Sequence, residues 1–403
     1  MTHDRTLDIV LFGATGFTGG LCADYLAASA ERTPLRWALA GRSPEKLQAV
    51  RDRLALPSGS PSIPELIVAE ASDAAALARM AGRTRVVITT VGPYIKHGEP
   101  LVRACAEAGT DYVDLAGEPM FVDAMTERYH EPAAASGARI VHACGFDSIP
   151  HDLGAYFTLH ALHARMTPEQ QRHAPVTIEG FVRTRGSVSG GTWHSALEIM
   201  SSLRAHRAER KRREAERAPP TRHATQLLAR PSFRPDLGFW AVPMPTLDPD
   251  VVLHSAELLP EYGPDFRYGH YMALKHGAQV AGLVAGVGTV FALAQLPPTK
   301  ALLQKLKDPG EGPDEQTRRN SYFRVIFKGS AAGQQVTCEV RGGDPGYGET
   351  SKMLAESALC LAFDRARLPS NFGVITSAAA MGNPLIERLQ RAGIAFRENS
   401  ASS

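Results

Sequence analysis

The stretch that most restricts what this chain can fold into is LDIVLFGATGFTGG at residues 7–20. Residues 9–12 are a short apolar run, β-branched at Ile9 and Val10, and read as a buried strand. Gly13, Gly16 and Gly19 follow with G-x-x-G-x-x-G spacing, and an apolar helical pattern continues through Leu21, Tyr25 and Leu26. In such a set one glycine permits a tight turn, one lets backbone approach a pyrophosphate, and one lets the helix pack on the sheet. The helix start offers free N–H groups to phosphates. A glycine-rich turn alone is weak evidence, but strand–turn–helix context makes this one a dinucleotide site. Gly13, Ala14, Thr15, Gly16, Phe17, Thr18 and Gly19 are therefore expected to hold the cofactor.

Residues 35–40 read as a second strand, directly followed by Gly41, Arg42 and Ser43. An NAD-preferring unit places an acidic residue here to accept from the ribose 2′-OH. A guanidinium and a hydroxyl suit a 2′-phosphate instead, so NADP(H) is the expected cofactor and Arg42 and Ser43 its contacts. The bland alternative is an Arg that caps the sheet edge. Further strands are expected at 66–69, 85–91, 111–115 and 138–142, separated by helical patterns. Alternation of this kind means a parallel sheet with right-handed crossovers. Ligands of such sheets sit outside the strands' carboxyl ends, which adds Val91, Gly92, Pro93 and Tyr94 to the cofactor contacts.

At 403 residues the chain has room for two or three domains. A net charge of +2 gives no reason to expect a nucleic-acid partner. Its five cysteines show no C-x-x-C spacing, so neither a disulfide framework nor a zinc site is suggested, and no metal is expected. That suits a reducing cytoplasm, and the immediate first strand leaves no room for a signal peptide.

Beyond residue 150 the pattern changes. Strands are expected at 176–185, 250–258, 322–327 and 335–340, the last two as a hairpin, giving a largely antiparallel α+β domain. A Ser/Gly-rich turn at 186–191 feeds a helix from Thr192, where Thr192 and Ser195 are candidate substrate contacts; a plain capped helix is the alternative. Residues 204–230 are basic with interleaved glutamates, which favours a solvated helix; a patch for a membrane surface or an acyl carrier is the sharper reading. Residues 278–296 are the longest apolar run, a buried or subunit-interface helix, a lipid-facing one, or a membrane span. Tyr271 and Lys275 mimic the Tyr-x-x-x-Lys pair of short-chain dehydrogenases, but lie outside the nucleotide domain, where those enzymes carry it. The expected organisation is a Rossmann-type NADP domain at 1–150, a substrate or dimerisation domain at 151–345, and helices at 346–403 returning to the first domain.

Several motifs together resemble the saccharopine dehydrogenase-like oxidoreductases, most closely the trans-acting enoyl reductases and the lipid-droplet proteins of that group. They are FGATGFTG at 12–19, AGRS at 40–43, VGPY at 91–94, DYVDLAGE at 111–118, CGFDSIPHDLG at 144–154, SGGT at 189–192, SAELLPEYGPDFRYGHY at 255–271 and TSAAAMGNPLIERLQRAGI at 376–394. The resemblance spans nearly the whole chain. It implies NADPH-dependent reduction of a double bond in a lipid or polyketide-like substrate, and keeps peripheral membrane contact in view.

The protein must position the nicotinamide and relay a proton. Tyr94, Asp147 and His151 sit on loops at the sheet's carboxyl edge and are the candidate acids; packing and capping roles are their bland alternatives. Two other functions compete, an amino-acid dehydrogenase of saccharopine type, for which Arg183 and Arg185 are the obvious carboxylate-binding pair, and a non-catalytic NADP-binding scaffold on lipid.

Overall fold

The computed structural model describes residues 5–30, 34–54, 56, 62–186, 193, 197, 200, 212, 222–227, 230–244, 246–306 and 314–399. The chain divides into two compact units, Met1–Ile149 with Asp344–Ile394, and Pro150–Gly343 with Ala395–Ser403.

The first unit is built on a seven-stranded parallel sheet. Its strands are β1 (Leu7–Phe12), β2 (Trp37–Gly41), β3 (Glu65–Val68), β4 (Thr84–Thr89), β5 (Asp111–Val113), β6 (Arg139–Val141) and the late β14 (Gly373–Val374), in the order β14-β6-β5-β4-β1-β2-β3. Ile9 of β1 lies opposite Trp37 on one side and Val86 on the other. Every residue of β1 is buried, because helices cover both faces of the sheet. The helices Ala74–Gly82, Glu99–Ala108 and Pro119–Ser136 pack in series; Phe17–Ala30, Gly348–Phe363 and Gly382–Arg391 form another series. Strand order reverses between β1 and β4, and the cleft at their carboxyl ends is where such sheets bind ligands.

The second unit carries a mixed, mostly antiparallel sheet: β7 (Val176–Arg185), β8 (His223–Gln226), β9 (Ser232–Arg234), β10 (Phe239–Pro243), β11 (Asp265–Leu274), β12 (Tyr322–Ala331), β13 (Gln334–Gly342) and β15 (Ala395–Asn399). Only the β7–β11 and β8–β11 pairs are parallel. The expected β12–β13 hairpin forms. It turns at Ala332 and Gly333 with φ of 48° and 78°, the left-handed geometry that matches strand twist.

The structure corrects three expectations. Residues 250–258 are not a strand but part of the helix Asp248–Leu258, whose Pro249 and acidic first turn are start signals that a short Val-Val-Leu run masks. The final strand β15 pairs with β13, so the chain's last segment belongs to the second unit rather than the first. The apolar helix Gly277–Ala294 is not a core helix: Val284 and Val287 are 54% and 44% exposed. Its length and composition would suffice for a membrane span, and its C-terminal end packs Val290 and Ala294 beside Leu197 and Leu303. Thr192, Ser195 and most of the basic run at 204–230 lie outside the described residues.

Candidate functional site

The glycine turn after β1 has three distinct local geometries. Gly13 adopts φ +93°, and its N–H donates to the Ala40 carbonyl at 2.8 Å. A Cβ there would lie 2.7 Å from Thr90 Oγ1 and 2.8 Å from Val91 Cγ2. At Gly19 a Cβ would come within 2.2 Å of the Gly13 carbonyl oxygen, so this glycine sets the approach of the helix Phe17–Ala30 to the turn. Gly16 differs. Its nearest neighbour to a built Cβ is the Gly13 oxygen at 3.5 Å, and the residue is exposed. No packing inside the protein demands a glycine at 16, whereas a pyrophosphate lying on the turn would. The helix start also lacks an acidic residue in its first turn, leaving its positive dipole end to an anion. The turn therefore fits a dinucleotide. Thr15 is exposed, Ala14 is buried, and Phe17 packs edge-on against Tyr347 with ring centroids 4.8 Å apart.

Arg42 leaves β2 with an exposed side chain that makes no hydrogen bond or ion pair among the described residues. Ser43 is the N-cap of the helix Pro44–Arg53: its hydroxyl accepts from the Lys46 N–H and donates to Glu45. The hydroxyl is thus committed to shaping the turn that presents Arg42.

At the end of β4, Val91 is half-buried, Gly92 and Pro93 are exposed, and Tyr94 is buried. The Tyr94 hydroxyl donates to the Thr89 carbonyl at 3.1 Å and accepts from the Leu115 N–H at 3.2 Å, while burial holds its pKa well above the ordinary phenol value. Such a hydroxyl ties β4 to the strand after it and has no proton to offer a substrate. Tyr94 is therefore a positioning residue, a correction to its candidacy as an acid. Sequence reasoning missed its companion, Glu118, whose carboxylate accepts from the N–H groups of Tyr94 and Ile95.

A second missed carboxylate, Asp114, is wholly buried at the end of β5. It accepts from Tyr112 Oη (2.9 Å), His142 Nδ1 (2.7 Å) and the amides of Ala116 and Ala143 (2.9 Å each). Four donors around one carboxylate offset its burial and pin the chain leaving β6, where Ala143 has φ 58°. The following loop is held again by Thr350, whose hydroxyl accepts from the Phe146 N–H at 3.1 Å and donates to the Pro345 carbonyl at 2.7 Å. Asp147 sits on this loop and is exposed to solvent.

His151 belongs to the second unit, is 2% exposed, and faces Asp248 through Nε2 at 3.3 Å; burial holds its pKa well below the ordinary imidazole value. An enclosed neutral imidazole does not serve as a surface acid, which corrects that assignment. Tyr271 and Lys275 do not form a catalytic pair either: Tyr271 is buried within β11 and stacks on Phe181.

Strand order and glycine turn define a dinucleotide-binding fold of the Rossmann type. A family model described as the saccharopine dehydrogenase NADP-binding domain matches residues 9–141, and the cofactor is NADP(H). A protein of Mycobacterium tuberculosis, provisionally named a trans-acting enoyl reductase, is 40% identical, covering 99% of each chain. The trans-acting enoyl reductase of Mycobacterium ulcerans is 37% identical over 97% of each chain. The chain belongs to the saccharopine dehydrogenase-like family of NADP-dependent oxidoreductases, together with these full-length relatives. Its fold is also that of the apo saccharopine dehydrogenase of Saccharomyces cerevisiae, with TM-score 0.55 at 13% identity over 98% of this chain and 100% of that one.

Proposed function

We propose that this protein uses NADPH to reduce the carbon–carbon double bond of an enoyl group in a lipid or polyketide-type substrate. The observation that carries the reading is the end-to-end match to relatives named trans-acting enoyl reductases. Action in trans supports a substrate delivered by another protein, such as an acyl carrier.

In this reading the open face at Gly16 and the amides starting the helix Phe17–Ala30 bind the pyrophosphate. Arg42 grips the 2′-phosphate with its planar fork, and Ser43 shapes the turn that aims it. Val91, Gly92 and Pro93 flank the cofactor, backed by Tyr94 and Glu118. When bound, NADPH supplies the hydride. Asp147, exposed on the loop after β6, supplies the proton. Thr192 and Ser195 contact substrate. The exposed apolar helix Gly277–Ala294 supports a peripheral lipid or homodimer contact. A cytoplasmic location is supported by five cysteines that all remain free thiols.

The test is turnover with purified protein. NADPH should be consumed with trans-2-enoyl thioesters in a panel that also includes saccharopine with NADP⁺. Activity confined to saccharopine would replace this reading with the amino-acid dehydrogenase; binding of NADPH without any turnover would favour the scaffold.

A further inference from the structure

We propose that His151, Asp248 and His270 of the second unit form a buried site for one divalent transition-metal ion, zinc by its donor set. Three separate elements converge here: the first turn of the helix Ile149–His163, the first residue of the helix Asp248–Leu258, and the middle of β11. The three residues are 2%, 4% and 2% exposed. The two carboxylate oxygens of Asp248 face different rings, with Oδ1 3.3 Å from His151 Nε2 and Oδ2 3.6 Å from His270 Nε2. One ligand atom from each residue falls in a set spanning no more than 4.8 Å. Donors bound tetrahedrally to zinc at about 2.1 Å stand roughly 3.4 Å from one another, so a set within 4.8 Å would need to draw in around an ion.

The orientation of His270 points the same way. Its Nε2 is enclosed and makes no hydrogen bond among the described residues, and 3.6 Å to Asp248 is too long for one. Native folds rarely leave such an atom uncompensated. Its other ring nitrogen, Nδ1, lies 3.3 Å from the buried Tyr268 hydroxyl. With Nδ1–H donating to that oxygen, the Nε2 lone pair turns into the cluster, the outer-sphere arrangement that orients metal-bound imidazoles.

The surroundings hold this geometry. Ser255, on the helix that begins with Asp248, donates to Asp152 Oδ1 at 2.5 Å on the helix that carries His151. The T-shaped contact of the two imidazoles, with centroids 4.8 Å apart, keeps both rings beside the carboxylate. Two imidazoles and one carboxylate select zinc or cobalt over magnesium or calcium, which prefer all-oxygen sites. Three protein ligands leave the fourth tetrahedral position to a water molecule; the ion would join two helices to the sheet, and no step of the proposed reduction uses it.

Metal analysis of the full-length protein, purified without chelator from zinc-supplemented medium, tests the site directly. The expected content is about one zinc per chain, removable by a strong chelator with a fall in thermal midpoint. Cobalt(II) added to the stripped protein should give the intense visible absorption of a tetrahedral site. His270→Gln and Asp248→Asn should each lower the content below about a tenth of an equivalent, while His160→Gln, further along the same helix as His151, should leave it unchanged. Where a variant fails to fold, the cobalt spectrum of the wild-type protein decides. Wild-type protein with neither zinc nor a cobalt spectrum, and with a chelator-insensitive midpoint, overturns the proposal; so does metal that persists in folded His270→Gln and Asp248→Asn.

Discussion

Glu118 and Tyr94, 24 residues apart in sequence, are joined through the main chain: Glu118 Oε1 accepts from the Tyr94 N–H at 3.1 Å, while Oε2 accepts from the next amide, Ile95, at 2.7 Å. These amides open the short helix Tyr94–His97, whose N-cap, Pro93, has no side-chain acceptor of its own. A carboxylate that is 7% exposed thus stands in for a cap and holds the loop leaving β4.

Replacing that carboxylate strands two amides in a dry environment. Glu118→Ala should cost about 2–3 kcal/mol of stability and weaken NADPH binding, with Glu118→Gln intermediate. Urea unfolding and a cofactor titration measure both effects. A loss under about 0.5 kcal/mol would show that the clamp carries no weight.

The glycine turn allows a cleaner separation of folding from binding. Gly16→Ala meets nothing closer than 3.5 Å, so the protein should fold normally yet bind NADPH at least about tenfold more weakly. Gly19→Ala drives a Cβ to 2.2 Å from the Gly13 oxygen and should destabilise the fold itself. Equal cofactor affinity for Gly16→Ala and wild type would remove the pyrophosphate from this turn.

Much of this site could be read from the chain, and the reasons for what was missed are physical. Buried parallel strands such as β1 and β4 appear as uninterrupted apolar runs ending in glycine, so they and the turn between β1 and its helix stand out. The helix Asp248–Leu258 did not, because Val251, Val252 and Leu253 make a short apolar run that fits strand or helix equally. Glu118 and Asp114 were invisible for another reason: their partners, Tyr94 and His142, lie 24 and 28 residues away, and only the folded sheet brings them together. His151 reads from the sequence as a candidate acid at the sheet edge, since Asp248 and His270 reach it only in three dimensions.

Arg42 should govern cofactor choice. Arg42→Ala is expected to raise the Kd for NADPH by about tenfold to a hundredfold, the loss of one or two charge-assisted hydrogen bonds, and to leave NADH binding nearly unchanged. Fluorescence titration with both nucleotides reads the ratio. An undiminished preference for NADPH would mean that another group binds the 2′-phosphate.

All five cysteines are buried as free thiols, and burial pushes Cys338 up to about 11 and Cys360 up to about 12. A raised pKa keeps the unreactive thiol form at neutral pH. A thiol-specific chromogenic reagent should therefore label none of the five in native protein and all five after denaturation. Rapid labelling of one thiol in the native state would expose an opening that the fold does not show.

The most direct test of the reductase assignment follows a hydrogen atom. Purified protein is supplied with NADPH deuterated at the transferring position of the nicotinamide and with a trans-2-enoyl thioester, and the product is examined by mass spectrometry and NMR. The account predicts a saturated acyl product carrying one carbon-bound deuterium, with less product when Asp147 is replaced by Asn. Unchanged enoyl substrate alongside intact NADPH, from protein shown to bind the nucleotide, would contradict it.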